Sequence, residues 1–321
     1  MSAALRVAVV SFNTRDLTLR CVKAAEAAGA GQEIACSLVD NGSTDGTTDA
    51  VCRAHPAWRI VTAPENPGYG AALNRAFLGE SAWAYLALNA DVLLDKDTIR
   101  LLADFLRRHP DCGLVGPALT YPDGRPQPSA KRFPGLVFAS AEILCLHAVL
   151  PRNPWVRRFY YTGQDLASHP WVDTVSGAAM LIRGDAFRRV GGFDEGFRMY
   201  FEETDLCHRL QDAGYRVAFC PQATAVHCHG ASTIQTSVRQ VEYYLSYIRF
   251  FRKHHGPGPA RILAAAVAVN TVLRMLALPF KYPPLSRRRL DVLLPKLAAC
   301  RRLLGALCPP ATRRASTETR P

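Results

Sequence analysis

The last 70 residues hold almost no acid: across 252–321 only Asp291 and Glu318 stand against 14 Lys and Arg, whereas 1–251 carries 25 of each sign. The formal charge of +12 therefore belongs to the C-terminal part. Such a split directs the tail at an anionic surface. The tail also lacks the interleaved aromatics and compact motif of a nucleic-acid reader, so no nucleic acid is expected, and an anionic membrane surface is the expected partner. The ten cysteines include no CxxC pair, and no charged-then-apolar leader precedes the first strand near Arg6. Both absences favour a reducing compartment, with the protein cytoplasmic and peripheral on the inner face of the cytoplasmic membrane. Cys220, His227, Cys228 and His229 lack the two-pair spacing of structural zinc. No internal repeat is visible.

What is present is a chain of 321 residues, 49% apolar, enough for one large domain and an appendage. The expected division is a domain over 1–255, a helical basic tail over 256–310 and a disordered C-terminus over 311–321, which ends in polar "RRASTETRP". "RVAVVSF" (6–12) is a short β-branched run closed by "NTRD", and "EIACSLVDNGSTDGT" (33–47) repeats that design. "WRIVTAPENPGYG" (58–70) and "AYLALNADVLL" (84–94) follow, with helical compositions between, so strand and helix alternate four times. This is the pattern of an α/β fold, a mostly parallel central sheet with flanking helices. The second half is less regular, with a Pro-rich stretch at 117–135.

In open sheets of this class ligands gather beyond the carboxyl ends of the strands. The polar residues there are Ser11 and Asn13, Asp40 and Asn41, Asn66, and Asn89 and Asp91. A single one is ordinarily a turn former or helix cap, but four strand ends in succession make a polar rim. A carboxylate at Asp40 can accept the N3 hydrogen of a uracil or thymine ring, and Asp91 can bind a divalent cation. Such a cation neutralises a nucleoside diphosphate leaving group as its charge develops, with no proton donor needed.

The ordered motifs "VVSFNT", "VDNGSTDGT", "NPGYGAALN", "LNAD", "VSGAAMLIR", "GGFDEGF", "YFEETDLCHRL" and "HCHGAS" cover roughly 5–250. In that order and spacing the chain resembles a family 2 glycosyltransferase of GT-A (Rossmann-like) fold, in the branch of bacterial rhamnosyltransferase-like proteins. The resemblance implies an inverting, metal-dependent transferase using Mg²⁺ or Mn²⁺ and a dTDP- or UDP-linked sugar. The implied reaction moves L-rhamnose from dTDP-rhamnose to a lipid-linked or polysaccharide acceptor in bacterial cell-envelope glycan synthesis. It implies further that Asp40 reads the pyrimidine, that Asn66, Gly68 and Asn74 approach the donor, and that Asn89-Ala90-Asp91 occupies the family's DxD position. Asn89 departs from the first aspartate, which leaves Asp91 the main anionic contact, with His227 matching the family's late metal-binding histidine and His229 the competing candidate. The resemblance also implies that the general base is Glu203, with Glu202 the alternative, at the start of a helix where the backbone dipole favours acids. Asp205 and Arg209, four apart, can pair and so read as structural.

Other readings are less well supported. A glycosidase flanks its bond with two carboxylates but has no use for a nucleotide rim. In "NPGYGAALN", Leu73 stands where a dinucleotide fingerprint needs its third glycine, and the motif follows a third strand. A transferase of another hexose, deoxyhexose or galactofuranose, and a nucleotide-sugar-binding protein without turnover, remain as alternatives. In the tail, Asn270, Arg274 and Lys281 fall within about 40° on a helix, opposite Ala, Val, Leu and Ile. The uncharged run 262–273 is shorter than the roughly 20 residues that span a bilayer, which predicts a helix lying in the interface or packed on the domain.

Overall fold

Alternating side chains divide the N-terminal strands between two cores. Val7 and Val9 join one buried cluster while Ala8 joins the other, and Leu86 and Leu88 part in the same way from Tyr85 and Ala87. This is the period of two that a strand imposes, here with both faces covered. The computed structural model describes residues 4–144, 154–161, 164–228, 236–281 and 298–303.

The chain runs β1 (Leu5–Ser11), α1 (Arg15–Ala28), β2 (Ile34–Asp40), α2 (Thr47–Ala54), β3 (Arg59–Thr62), α3 (Tyr69–Phe77), β4 (Ala84–Asn89), β5 (Val92–Leu94) and α4 (Thr98–Arg108). It continues through β6 (Cys112–Thr120), β7 (Pro126–Gln127), β8 (Ala130–Lys131), α5 (Leu136–Ile143), α6 (Pro154–Phe159), β9 (Thr174–Val175), β10 (Ala179–Arg183) and α7 (Gly184–Arg189). Then follow α8 (Glu202–Asp212), β11 (Arg216–His227), α9 (Thr236–His254) and α10 (Pro257–Lys281). The backbone divides into two compact units, Met1–Phe138 with His147–Ile234, and Ala139–Leu146 with Gln235–Pro321.

In the first unit the sheet order is β3, β2, β1, β4, β10, β6, β11, β5, with β7 paired to β6. The pairs β3–β2, β2–β1 and β1–β4 are parallel, whereas β10 lies antiparallel between β4 and β6. Cys21, Val22 and Ala25 of α1 and Leu102 and Phe105 of α4 pack on one face. Leu73 and Phe77 of α3, Phe187 of α7 and Leu206 and Leu210 of α8 pack on the other. Each Val, Leu or Phe among them, fully buried, contributes about 1.5–3 kcal/mol, so the layered core holds the strand ends at fixed spacings.

One element differs from the sequence reading in a way that matters. "AYLALNADVLL" is not one strand: β4 stops at Asn89, and β5 begins at Val92 on the far side of the sheet, antiparallel to β11. Asn89 and Asp91 interrupt the apolar run and turn the chain, so Asp91 occupies the bend between two separated strands.

The second unit is helical. Tyr247, Phe250 and Phe251 of α9 are buried, and Tyr243 and Tyr247 donate their hydroxyls to the two carboxylate oxygens of Glu142, at 3.0 and 3.2 Å. Asn270 of α10 turns inward, its Nδ2 donating to Tyr244 Oη at 3.0 Å, beside buried Leu263, Val267 and Thr271. Ile262, Val269, Leu273 and Leu276 are exposed and fall within about 60° of one another on the opposite face. The helix extends well beyond the uncharged run 262–273 on which the shorter expected length rested. The helix is long and apolar enough over Pro257–Leu276, 20 residues, to cross a membrane by length and composition. The C-terminus 311–321 and His229 lie outside the described residues.

Candidate active site

The rim predicted from strand ends is a connected structure. Asn13, at φ 51°, ties the loop after β1 to the loop after β2. Its N–H donates to Ser43 Oγ (2.9 Å), and its Oδ1 accepts from Thr44 N (2.7 Å). Asp45 Oδ2 in turn accepts from Arg15 N at 2.9 Å. Ser11 is buried inside this corner, its hydroxyl 2.8 Å from Thr18 Oγ1 and 3.1 Å from Thr14 Oγ1. Asp40 is buried at the floor. Its Oδ2 accepts from Ser43 N at 3.0 Å, while Oδ1 has no partner among the described residues. Asn41 Oδ1, alongside it, is buried in the same condition. A buried, unpartnered carboxylate oxygen carries a desolvation cost that a ligand N–H would remove.

The turn between β3 and α3 has a different task. Asn66 adopts φ 48° and donates its N–H to Ala63 O. Gly68, at φ 103°, lies so close to the next loop that a Cβ there would stand 2.1 Å from Arg198 O. Asn74 is clamped to that same loop: Nδ2 donates to Phe193 O (2.9 Å) and Glu195 Oε1 (3.0 Å), and Oδ1 accepts from Phe193 N (2.9 Å). Gly68 and Asn74 thus hold the segment that leads into α8.

That segment ends with Tyr200 at φ 67° and Phe201 at φ 66°, two consecutive bulky residues in the left-handed region. Such conformations cost on the order of 1–3 kcal/mol each and collect at functional sites. Here they turn the chain so that Glu202 and Glu203 open α8 in a buried position. Burial first, and the Glu203 charge second, push Glu202 up to about 8, and its Oε2 has no partner among the described residues. Glu203 Oε1 accepts from Thr204 Oγ1 at 3.1 Å and lies 3.9 Å from Lys131 Nζ on β8. Arg209 Nε donates to Asp205 Oδ2 at 2.7 Å, which leaves that third acid structural.

Sheet pairing brings the third group together. Asp91 immediately precedes β5, and His227, the last residue of β11, pairs with Val92. His227 Nε2 stands 3.4 Å from Asp91 Oδ1, and Cys228 N donates to Asp91 O at 2.9 Å. One carboxylate and one imidazole facing each other suit a small divalent ion that keeps further positions for phosphate oxygens and water.

The acids and the metal-type pair share one edge. Asn89 N donates to Ala178 O at 2.9 Å, and the adjacent Gly177 faces Glu203, with a Cβ there meeting the Glu203 side chain at 3.4 Å. Tyr69 Oη donates to Gly177 O at 2.8 Å. Burial and then the charges of Glu202, Glu203, Cys21 and Asp91 raise this phenol well above its ordinary value. Tyr69, Gly177 and Lys131 were not singled out from the sequence. Tyr69 lay inside a quoted motif, and Lys131 in the Pro-rich stretch that showed no pattern.

A family model described as "Glycosyl transferase family 2" matches residues 6–191. The chain belongs to glycosyl transferase family 2. An "N-acetylglucosaminyl-diphospho-decaprenol L-rhamnosyltransferase" of Mycobacterium tuberculosis is 36% identical over 237 residues, 68% of this chain and 75% of that protein. Among solved structures, a mannosyltransferase from Pyrobaculum calidifontis in complex with GDP-Man and Mn²⁺ superposes at a TM-score of 0.58 and 16% identity, covering 95% of this chain and 86% of its own. GalNAc-T7 with UDP, GalNAc and Mn²⁺ does so at 0.54 and 12% identity, covering 78% of this chain and 48% of that one. These likenesses establish the GT-A fold, and with the family membership they make the protein a sugar-transferring enzyme. The family match ends before Glu202, Glu203 and His227, so their roles rest on geometry.

Proposed function

We propose that this glycosyltransferase moves L-rhamnose from dTDP-rhamnose, with inversion, to a lipid-linked acceptor in bacterial cell-envelope glycan synthesis. The observation that carries the reading is the single edge on which Ala178 bonds Asn89 of the metal-type motif while Gly177 backs the Glu203 carboxylate. The rhamnosyl donor and a polyprenyl diphosphate acceptor follow the printed name of the mycobacterial relative.

In this reading Asp40 Oδ1 accepts the pyrimidine N3–H, and the joined loops of Asn13, Ser43 and Thr44 frame the nucleoside. Ser11 supports that corner from beneath, and Asn66 and Asn89 line the way to the sugar. Asp91 and His227 would hold Mg²⁺ or Mn²⁺, which would supply positive charge to offset that of the departing diphosphate. Glu203 takes the proton from the acceptor hydroxyl as its oxygen attacks the anomeric carbon from the face opposite the diphosphate. Burial and then the Glu203 charge raise the Glu202 carboxyl well above its ordinary value, which favours its neutral form beside the Glu203 carboxylate. The acid-poor tail and the exposed apolar face of α10 support a reading in which the enzyme works at an anionic membrane surface, beside a lipid-linked acceptor.

The test is a panel of nucleotide sugars with and without Mn²⁺. A ligand at 100 times its dissociation constant adds about 2.7 kcal/mol to stability, so dTDP-rhamnose with metal is expected to raise Tm most, and to be consumed. Greater stabilisation by a UDP-hexose or UDP-galactofuranose would reassign the donor. Stabilisation without any turnover on a polyprenyl diphosphate acceptor or in donor hydrolysis would favour a binding protein.

A further inference from the structure

We infer that Gln127 is a positioning residue that sets the ring tautomer of His227, so that Nε2 presents its lone pair beside Asp91. The inference rests on the proposed metal site and adds to it a residue whose side chain reaches the metal only through His227.

Gln127 is held firmly enough for this task. The turn Tyr121–Arg125, with Gly124 at φ 82°, folds the chain back so that β7 pairs with β6, Gln127 opposite Leu119. Ser129 then clamps the position, donating its hydroxyl to Gln127 O at 3.1 Å and accepting from Leu119 N at 3.2 Å. From this anchor Gln127 Oε1 stands 2.7 Å from His227 Nδ1. An amide oxygen can only accept, so the proton is on Nδ1, and a neutral imidazole with Nδ1–H has its lone pair on Nε2.

The consequence is visible on the other side of the ring. His227 is 7% exposed, and its Nε2 faces Asp91 Oδ1 at 3.4 Å. In the neutral Nδ1–H form, Nε2 and Asp91 Oδ1 are two acceptors directed at each other, and a divalent cation between them turns that repulsion into attraction. In the other tautomer Nε2–H would donate to Asp91 and close the position to a cation. Gln127 therefore selects the cation-ready arrangement before any ion arrives, the role that an outer partner commonly plays for a metal-binding histidine.

The experiment compares wild type, Gln127→Leu and Gln127→Glu. In metal-free protein, ¹⁵N chemical shifts of the His227 ring are expected to report Nδ1–H in wild type and Gln127→Glu, and Nε2–H in Gln127→Leu. With dTDP present, Mn²⁺ retention read from the free-ion EPR signal is expected to weaken 10–100-fold in Gln127→Leu and to be kept in Gln127→Glu, which preserves the accepting oxygen. Matching thermal melts establish that the variants are folded. If wild type retains no Mn²⁺ with dTDP, the metal reading falls and this proposal with it. If wild type and Gln127→Leu retain Mn²⁺ equally, or the tautomer is unchanged by Gln127→Leu, only the role of Gln127 is overturned.

Discussion

Lys131 Nζ stands 3.9 Å from Glu203 Oε1, the same oxygen to which Thr204 donates, while the neighbouring Glu202 has a buried oxygen with no partner among the described residues. Two adjacent acids thus occupy different environments, and different environments are what separate a base from a neutral neighbour. Glu203→Gln is expected to lower kcat by roughly 10²–10⁴, the usual effect of removing a general base, with donor affinity kept. Glu202→Gln preserves a neutral group in the same shape and is expected to retain most of the activity. Kinetics of the two variants decide the matter: a loss confined to Glu202→Gln would exchange their roles.

The raised Glu202 carboxyl also makes a statement about stability. Folded, it titrates at about 8 instead of the ordinary 4.5, because burial and then Glu203 oppose its charge. Between those values the native state holds a proton that the unfolded state has released, so this group's contribution falls as pH rises through the window. Glu202→Gln removes that dependence. Melting temperatures at pH 5 and pH 9 should show the variant gaining on wild type at the alkaline end, and an unchanged difference would contradict the burial argument.

Asp40 and Asp91 should fail in different ways. Asp91→Ala removes the carboxylate that faces His227, so Mn²⁺-dependent transfer is expected to be abolished. Asp40→Ala leaves the metal requirement and weakens the donor. A hydrogen bond to a charged acceptor contributes about 1.5–3 kcal/mol, which corresponds to roughly tenfold to a hundredfold in donor affinity. Full activity of Asp91→Ala in EDTA, or unchanged nucleotide binding by Asp40→Ala, would remove that residue from the site.

Asn74 tests structure against recognition. Its amide satisfies both the N–H and the C=O of Phe193, and truncating it leaves buried backbone groups unpaired at about 1–3 kcal/mol. Asn74→Ala is expected to lower Tm and to reduce kcat by loosening the loop that leads into Glu202. A change in donor KM with Tm intact would return Asn74 to the donor.

The residues legible in the sequence are those whose role is local. Asp40 and Asp91 end apolar runs, and Glu202 and Glu203 open a helix, so position within an element announced them. Tyr69, Gly177, Gln127 and Lys131 act across long sequence distances, through the hydrogen bond at Gly177 O, the Gln127–His227 contact and the approach of Lys131 to Glu203. No window of sequence contains both partners of those contacts. The split of "AYLALNADVLL" was hidden for a related reason: periodicity reports which residues are buried, and β4 and β5 are buried in different parts of the same sheet.

The tail offers the last test, and the structure changes how it should be made. Removing all of α10 would strip Leu263, Val267 and Asn270 from their buried positions and uncover Tyr244, so a deletion would confound membrane contact with unfolding. The outward face is separable. Val269, Leu273 and Leu276 are exposed, and replacing all three with Ser removes most of the apolar stripe without touching the packed side. Charge contributes separately, at about 1 kcal/mol for each Lys or Arg near an anionic leaflet, and salt screens it. Wild type is therefore expected to sediment with anionic vesicles, more weakly in high salt but not to zero, because apolar insertion is not screened. The Val269→Ser, Leu273→Ser, Leu276→Ser variant should keep the salt-sensitive part and lose the remainder. Its donor binding should match wild type, while transfer to a membrane-embedded lipid acceptor should fall relative to a short soluble one. Equal sedimentation of both proteins at high salt would show that this face does not enter the membrane.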